Sequence, residues 1–377
     1  HYFRFLTVIL SKQFKKLRNY FMNDLDNFLF ICRCLSFEDN RESLRKQLQK
    51  EIAWQEIVKI SGQHLLTPAL YWALSKKGLL NSLSDDGLVT YLKTIFEANQ
   101  DRNQIILTQV HDIAVQLNQI DIEPLLMKGV ASLITDTYED IGVRMMTDID
   151  LLIPADKLMT SVAALDNIGY KPLAGHTHTE DHHHYIPLVC DYTAASVELH
   201  LRMVRIGTEI LPTEEVWRDA KLFLFSNTRV RIPSPQHRIK HNIIHTYLSD
   251  SKYYKADISL MQLYEFAMLR KTLDKQLDWD ELASSFKSQS KLFHSYLAMV
   301  YYLLAQSLPD KVSLLPSTKR HYRHFQYRMR YPLYAKFMNF NAYFISSFNY
   351  LLTNPKIIWK LLNPLWYIEQ FKLIKSL

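Results

Sequence analysis

The spacing of apolar residues changes twice along the chain, and this change constrains the fold more than any other feature of the sequence. From Asp24 to Leu117 the apolar residues recur at helical spacing, as in Trp54 and Ile57. Between residues 119 and 232 short apolar runs alternate with helix-compatible segments, and helical spacing returns after Pro233. This order of patterns predicts a mixed α/β core that lies between two helical regions.

The central region contains segments that are typical of β-strands because they are short, apolar and bounded by turn-forming residues. They are Ile122 to Met127, Thr147 to Ile153, Tyr185 to Val189 and Ser196 to Met203. Helices are predicted between them, from Val130 to Thr137 and from Asp156 to Ile168, and Gly169 suits the left-handed position that follows a helix. Strands interleaved with helices predict a small mixed sheet.

The same patterns divide the chain into four regions. We expect a helical N-terminal domain at 1–118, an α/β core at 119–232, a second helical domain at 233–330 and an aromatic and basic helical tail at 331–377. Helices in the second helical domain are predicted at 237–249, 256–273, 279–286 and 292–307. The tail is expected either to pack on its own domain or to contact a membrane surface or a protein partner.

Composition excludes several classes of protein. Of 377 residues, 48% are hydrophobic and only 8 are glycine, which favours a helix-rich globular protein over a disordered or all-β one. Cys32, Cys34 and Cys190 are too few for a disulfide framework, so we expect a cytoplasmic protein. The apolar runs are shorter than the roughly 18 residues that a membrane-spanning helix needs. The net charge of +7 permits an anionic partner without selecting one.

Two aspartates lie two residues apart in one of the predicted strands. Side chains alternate across a strand, so Asp148 and Asp150 project from one face, and Glu198 and His200 share a face of another predicted strand. If the two strands are neighbours in register, Glu198 becomes a third carboxylate beside the aspartates. Such a set of hard oxygen ligands favours Mg²⁺ or Mn²⁺. The alternative is that Asp148 marks a turn and Asp150 is an exposed strand residue.

Three ordered motifs contain these residues. The segment from Leu125 reads LLMKG, the segment from Arg144 reads RMMTDIDLLI and the segment from Val197 reads VELH. Together they resemble the bacterial uncharacterised nucleotidyltransferase family of the DNA polymerase β-type superfamily, whose members read approximately LLKG, RxxSDIDLLV and VELHW. The resemblance covers most of residues 50 to 310. It implies an α/β nucleotidyltransferase core flanked by helical domains, with the domain at 233–330 on the substrate side.

The resemblance also implies roles for individual residues. Asp148 and Asp150 match the paired metal ligands of the superfamily, and Glu198 matches its third acidic residue, which is both a ligand and a candidate general base. Lys128 and Gly129 occupy the strand-to-helix turn that faces the triphosphate, where the superfamily usually has Gly-Ser. Because no serine follows Gly129, we expect the grip on phosphate to depend on the Lys128 ammonium and on the amides at the helix start.

Two further side chains near the motifs are candidates for nucleotide binding. Arg144 lies four residues before the first aspartate and is either a phosphate clamp or an ion-pair partner of Glu139 or Asp140. His200 is expected to orient Glu198 or to bind the nucleotide.

Histidines are concentrated in two other places. One run, next to Glu180 and Asp181, contains His176, His178, His182, His183 and His184. In the resemblance a pair of histidines precedes the predicted strand that begins at Tyr185, so His183 and His184 are expected to line the site. The alternative is that the histidine run forms a zinc site. His237, His241 and His245 recur at four-residue steps and share one face of a helix, which is either substrate-facing or buried.

The leading functional hypothesis is a Mg²⁺-dependent transfer of a nucleoside monophosphate from an NTP, with ATP as the expected donor. The acceptor would be a hydroxyl or phosphate group of a small molecule, peptide or protein, and pyrophosphate would be released. One alternative is a nucleotide-binding scaffold with reduced catalysis in a biosynthetic pathway. Another, less favoured, is nucleotide addition to RNA, which the basic charge permits. The sequence specifies neither the acceptor, nor the base, nor the oligomeric state.

Overall fold

The computed structural model describes residues 24–83, 85–175, 183–310 and 312–353, with side chains described as far as residue 343. The described residues form a mixed α/β structure in which one seven-stranded sheet is preceded and followed by helices. The predicted fold class, a mixed sheet flanked by helical regions, is therefore confirmed.

Helices make up the part of the described chain that precedes the sheet. They are α1 (24–35), α2 (Arg41–Leu48), α3 (Trp54–Gln63), α4 (Thr67–Lys76) and α5 (Asp86–Asn118). Local signals explain several of their ends. Pro68 stands in the first turn of α4, Gly78 follows α4 with a φ of +63°, and the Asp85 side chain accepts a hydrogen bond from the Leu88 amide at the start of α5.

The strands of the sheet lie between residues 125 and 232. They are β1 (Leu125–Leu126), β2 (Asp148–Leu152), β3 (Lys171–Pro172), β4 (Leu188–Val189), β5 (Ser196–His200), β6 (Lys221–Phe225) and β7 (Thr228–Ile232). Their spatial order is β3-β4-β5-β2-β1-β7-β6. The β2–β5 and β1–β7 pairs are parallel and the remaining pairs are antiparallel. The four predicted strands are present but shorter, and β3, β6 and β7 were not predicted.

Short helices connect these strands. They are α6 (Lys128–Ile134), α7 (Leu158–Asp166) and α8 (Thr213–Asp219). Helix α6 begins directly after β1, two residues earlier than the sequence predicted. Gly169, which follows α7, has a φ of +92°, as expected for the left-handed position after a helix.

Helices return after β7. They are α9 (Pro235–Ile244), α10 (Lys252–Lys255), α11 (Leu260–Leu273), α12 (Trp279–Ser285), α13 (Ser290–Leu304), α14 (Pro316–Arg330) and α15 (Pro332–Thr353). A π-helical turn, His245–Ser249, directly continues α9. Within the described ranges, no helix has the length and apolar character needed to cross a membrane. Residues 354–377 of the predicted tail lie outside the described part.

Two hydrophobic clusters hold these elements together. One cluster joins the helices before α5 to the helices after β7 and includes residues such as Phe28, Leu70 and Phe266. The other covers one face of the sheet and includes Ile149 and Leu199. Helix α5 contributes to both, because its first half packs in the helical cluster and its second half packs on the sheet. The two helical regions that are distant in sequence therefore share one core.

Candidate active site

The parallel pairing of β2 and β5 places the predicted acidic residues side by side. Asp150 lies opposite Glu198, and Asp148, two residues earlier, lies opposite Ser196. Ile149 and Val197 are fully buried on the other face of these strands. The register condition under which Glu198 becomes a third carboxylate is therefore met. One face of the strand pair is apolar core and the other carries the acids.

Asp150 is the most enclosed of the three carboxylates, with only 2% of its surface exposed. Its Oδ1 atom accepts a hydrogen bond from Lys128 Nζ at 2.6 Å and lies 2.8 Å from His200 Nε2. Burial by itself would raise the pKa of Asp150, but the ammonium of Lys128 and the hydrogen bond from His200 outweigh it and lower the pKa. Asp150 is therefore a stable anion at neutral pH.

Glu198 completes a set of potential metal ligands. Its Oε2 atom lies 3.5 Å from His200 Nε2, and the hydrogen bond from His200 lowers the pKa of Glu198 against the effect of burial. Ligand atoms of Asp150, Glu198 and His200 all lie within 4.8 Å of one another. His200 already contacts both carboxylates, so it suits the role of orienting them better than that of a ligand.

Asp148 lies at the open end of the same strand face. It is not part of the compact group formed by Asp150, Glu198 and His200. Burial, followed by repulsion from Asp150 and Glu198, raises the pKa of Asp148, although Lys128 opposes this shift. The negative charge of the three carboxylates is thus only partly compensated by Lys128. A divalent cation with hard oxygen ligands fits this donor set.

Lys128 and Gly129 form the first residues of α6, at the strand-to-helix turn predicted for them. Lys128 has a φ of +47°, a left-handed conformation that is unusual for a residue with a side chain and that occurs more often at functional sites. A Cβ atom at Gly129 would lie 2.8 Å from Met146 Cγ, so no larger residue fits without displacing Met146. The turn therefore brings α6 very close to the segment that leads into β2.

Arg144 has a partner that the sequence did not indicate. Its Nη2 atom donates to Glu265 Oε2 at 2.8 Å, and its Nε donates to the same oxygen at 3.1 Å. The alternative prediction of an ion pair with Glu139 or Asp140 is wrong, because Glu139 pairs with Lys76 and Lys271 instead. Arg144 lines the larger cavity of the site, where its role as a phosphate clamp stays a prediction.

His183 and His184 lie beside His200. The centroids of their rings are each 5.3 Å from that of His200. Burial, together with the neighbouring His200 and His184, lowers the pKa of His183 to about 3, which keeps its ring neutral. The two residues lie at the edge of the acidic site, and their contact with a nucleotide stays a prediction. His176, His178 and His182 lie outside the described residues, so the zinc alternative is not tested.

Residues from the π-helical turn after α9 and from α11 form the wall that faces the acids. A cavity of about 190 Å³ is lined by Gly129, Asp148 and Asp150 on one side and by His245 and Gln262 on the other. Of the three histidines that were expected to be either substrate-facing or buried, His245 lines this cavity, whereas His237 and His241 are buried. A contact between His245 and substrate stays a prediction. His241 lines an adjoining narrow cavity. His237, by contrast, lies away from both cavities.

Sequence reasoning missed several polar side chains of the site. Arg102 on α5 donates to the carbonyl of Ala194 at 2.8 Å and to that of Met146, and it lies near Asp148. Glu265 and Arg238 line the narrow cavity. The local spacing around Arg102 and Arg238 contains no signal that would have identified them. The helix that carries Glu265 was part of the family resemblance, which gave Glu265 no role.

The chain is similar to a protein family and, more distantly, to solved structures. The family model described as uncharacterised nucleotidyltransferase matches residues 50–305. No curated protein matches the chain. One similar solved structure is that of the antibiotic-resistance factor ANT(2'')-Ia, with 13% identity, a TM-score of 0.34, and coverage of 50% of this chain and 92% of that one. Another is an antigenic nucleotidyltransferase-like protein from Paracoccidioides brasiliensis, with 15% identity, a TM-score of 0.34, and coverage of 53% and 93%.

Proposed function

Because the chain belongs to the uncharacterised nucleotidyltransferase family, we propose that it transfers a nucleoside monophosphate from an NTP to an acceptor in a reaction that depends on a divalent metal. The observation that carries this proposal is the register of β2 and β5, which sets Asp150 opposite Glu198 with Asp148 on the same face. Mg²⁺ or Mn²⁺ is the expected metal and ATP the expected donor. The proposed location is the cytoplasm, where the thiols of the three cysteines would remain reduced.

Asp148, Asp150 and Glu198 would hold the metal. When bound, Mg²⁺ would neutralise charge on the triphosphate and make the acceptor hydroxyl easier to deprotonate. Lys128 supports the same site from α6, because its ammonium already contacts Asp150 and adds positive charge next to the turn proposed to hold the phosphates. His200 keeps Asp150 and Glu198 in their charged forms and in fixed orientation.

In the proposed reaction, the acceptor displaces pyrophosphate from the α-phosphorus of the NTP. An oxygen of the acceptor attacks the α-phosphorus of the NTP, the bond between that phosphorus and the bridging oxygen breaks, and pyrophosphate leaves. The acceptor proton passes to a carboxylate of the site. Glu198 suits this role better than Asp150, because its side chain is 20% exposed whereas that of Asp150 is 3% exposed and already engaged by Lys128 and His200.

The direct test uses each α-labelled NTP with Mg²⁺ and cell lysate, followed by detection of label in protein, RNA or small molecules. We expect Asp148→Asn and Asp150→Asn to abolish label transfer. Asp156→Asn is the matched control, because Asp156 is an exposed carboxylate in the helical turn after β2. Circular dichroism establishes that each variant folds. Retention of label transfer by both site variants would contradict the proposal.

A second candidate function is a nucleotide-binding scaffold with reduced catalysis. The turn at Lys128 and Gly129 favours it, since Val130 follows Gly129 where the superfamily usually has the serine of a Gly-Ser pair facing the triphosphate. Calorimetry with ATP and Mg²⁺ distinguishes the candidates. Metal-dependent binding without release of pyrophosphate, for every acceptor fraction tried, would support the scaffold.

A further inference from the structure

A second, narrow cavity adjoins the one that contains the aspartates. Its volume is about 30 Å³, and Lys128, His245 and Gln262 line both cavities. A space of this size holds two or three water-sized groups, such as the oxygens of one carboxylate or of the end of one phosphate, because one water needs about 10 to 15 Å³. A nucleoside is far too large for it.

Arg238, on α9, lines this cavity as a buried cation. Only 8% of its surface is exposed. Its guanidinium donates to the hydroxyls of Thr135, Ser132 and Thr137, at 3.0, 3.1 and 3.0 Å. These contacts use three of its five N–H groups. Among the described residues, no carboxylate lies within ion-pair distance of Arg238, although a buried charge normally requires a partner of opposite sign.

Glu265 is the carboxylate that lines the cavity, but it is already engaged. Its Oε2 atom accepts both hydrogen bonds from Arg144, and its Oε1 atom accepts one from Ser132. Burial lowers the pKa of Arg238 to about 10, with Glu265 opposing this effect, so Arg238 remains a cation at neutral pH. One carboxylate therefore faces two guanidinium groups, and the network has an excess positive charge.

His241 also lines this cavity and has an unused hydrogen-bonding group. It lies three residues after Arg238 on α9, is 6% exposed, and its Nε2 atom has no hydrogen-bond partner among the described residues. Burial lowers the pKa of His241 well below its usual value, so its ring is neutral. A neutral imidazole can carry its proton on Nε2 and donate it to an anion.

We propose that the narrow cavity binds an anionic group of the acceptor, a phosphate or a carboxylate, with Arg238 as the counter-charge and His241 as a hydrogen-bond donor. This inference rests on the proposed nucleotidyl transfer and names a class of acceptor for it. The donor nucleotide is assigned to the larger cavity, which contains Asp148 and Asp150. Neither aspartate lines the narrow cavity.

Calorimetric titration of the 377-residue chain tests this site, with inorganic phosphate and acetate as the probes. Each titration is repeated in the presence of Mg²⁺ and a saturating α,β-methylene analogue of ATP. We expect at least one of the two anions to bind, with similar affinity whether or not the nucleotide is present. Preference for phosphate or for acetate would show which group the acceptor carries.

Three variants locate the binding. Arg238→Gln should weaken anion binding by at least about tenfold, because it removes a charged hydrogen-bond donor. His241→Phe should weaken it less, by about threefold to tenfold. The matched control is Lys240→Gln, because Lys240 is also a buried cation on α9 but pairs with Glu281 at 2.9 Å outside the cavity. This control should bind anions as the wild type does.

Several outcomes would overturn the assignment. They are failure of both anions to bind, unchanged affinity in Arg238→Gln, or displacement of the anion by the nucleotide, which would make the cavity part of the triphosphate site. If circular dichroism shows that Arg238→Gln does not fold, two other measurements decide whether the anion binds in the narrow cavity. They are anion binding by His241→Phe and anion binding by the wild type with and without the nucleotide analogue. Loss of label transfer is a separate readout, so absence of catalysis with intact anion binding would contradict the proposed function and leave this site in place.

Discussion

The cleft that contains the acids has a sheet wall, formed by β2 and β5, and a helical wall, formed by α11 and the π-helical turn after α9. The two walls carry charge in different ways. On the sheet wall, Asp148, Asp150 and Glu198 lie close together, and Lys128 compensates only part of their charge. On the helical wall, Glu265 from α11 is engaged by the buried guanidinium of Arg144, which comes from the segment before β2. The sheet wall thus keeps negative charge available in the cleft, whereas the negative charge of Glu265 on the helical wall is used to attach α11 to the core.

This difference separates function from stability. Like charges held together without full compensation favour a bound cation and cost free energy in its absence. An oppositely charged buried pair needs both partners, because loss of one leaves the other unpaired in a medium that solvates it poorly. Substitutions on the sheet wall should therefore affect activity more than folding stability. Substitutions at Glu265 should affect folding stability more than activity.

The largest expected effect is on the sheet wall. Glu198→Gln should lower the rate of nucleotidyl transfer by about 10⁴-fold, or about 5 kcal/mol, because it removes both a proposed ligand and the proposed base. The unfolding midpoint should change little, since Glu198 is partly exposed. Assays of label transfer and thermal melts measure the two quantities, and Glu214→Gln, at an exposed site on α8, is the control. A lowered melting temperature of Glu198→Gln together with unchanged label transfer would contradict this prediction.

The next largest effect is on the helical wall. Glu265→Gln should lower the free energy of unfolding by about 3 to 5 kcal/mol, because it leaves Arg144 buried without its partner. Urea denaturation measures this change. Glu139→Gln is the matched control, because Glu139 forms half-exposed ion pairs with Lys76 and Lys271 and should cost only about 1 kcal/mol or less. Equal losses in the two variants would show that burial of the pair does not matter.

A smaller effect is expected where the two walls meet, at the start of α6. Gly129→Ala should destabilise the protein by about 1 to 3 kcal/mol, because its Cβ would overlap the Met146 side chain. Gly62→Ala provides the contrast: Gly62 lies within α3 and the nearest atom to its Cβ would be 3.9 Å away. That variant should gain about 0.5 to 1 kcal/mol, since alanine favours a helix. Chemical denaturation of both proteins measures the difference.

The smallest effect is that of the metal itself. Mg²⁺ at about ten times its Kd should stabilise the wild type by about 1.4 kcal/mol, because it binds the folded site and relieves repulsion among the carboxylates. Thermal melts with Mg²⁺ and with EDTA measure this gain. In Asp148→Asn the stabilisation by Mg²⁺ should be reduced. Without metal this variant should be at least as stable as the wild type, because burial and repulsion raise the pKa of Asp148 and its charged form therefore destabilises the folded state. A full Mg²⁺ response in Asp148→Asn would exclude it as a ligand.

Local sequence patterns were sufficient to predict which side chains share a face when the residues are close neighbours in the sequence. Alternation along a strand placed Asp148 and Asp150 on one face, and the same rule placed Glu198 and His200 together. Strands β3, β6 and β7 were not predicted. In β6, Lys221, Leu222, Phe223 and Leu224 are all exposed, so its pattern does not show the apolar and polar alternation of a half-buried strand.

What the sequence by itself determined is the order of helical and strand regions, the acidic motif and the family to which the motif belongs. Each of these depends on residues a few positions apart, which the periodicity of helix and strand brings to a common face. Only the tertiary structure decided which strand lies beside β2, which partner Arg144 takes, and that Arg238 and His241 line a cavity beside the acids. Those outcomes depend on packing between segments about 50 to 120 residues apart. The charge and spacing of such residues along the chain are compatible with many partners, and only burial in the folded protein determines which partner each one takes.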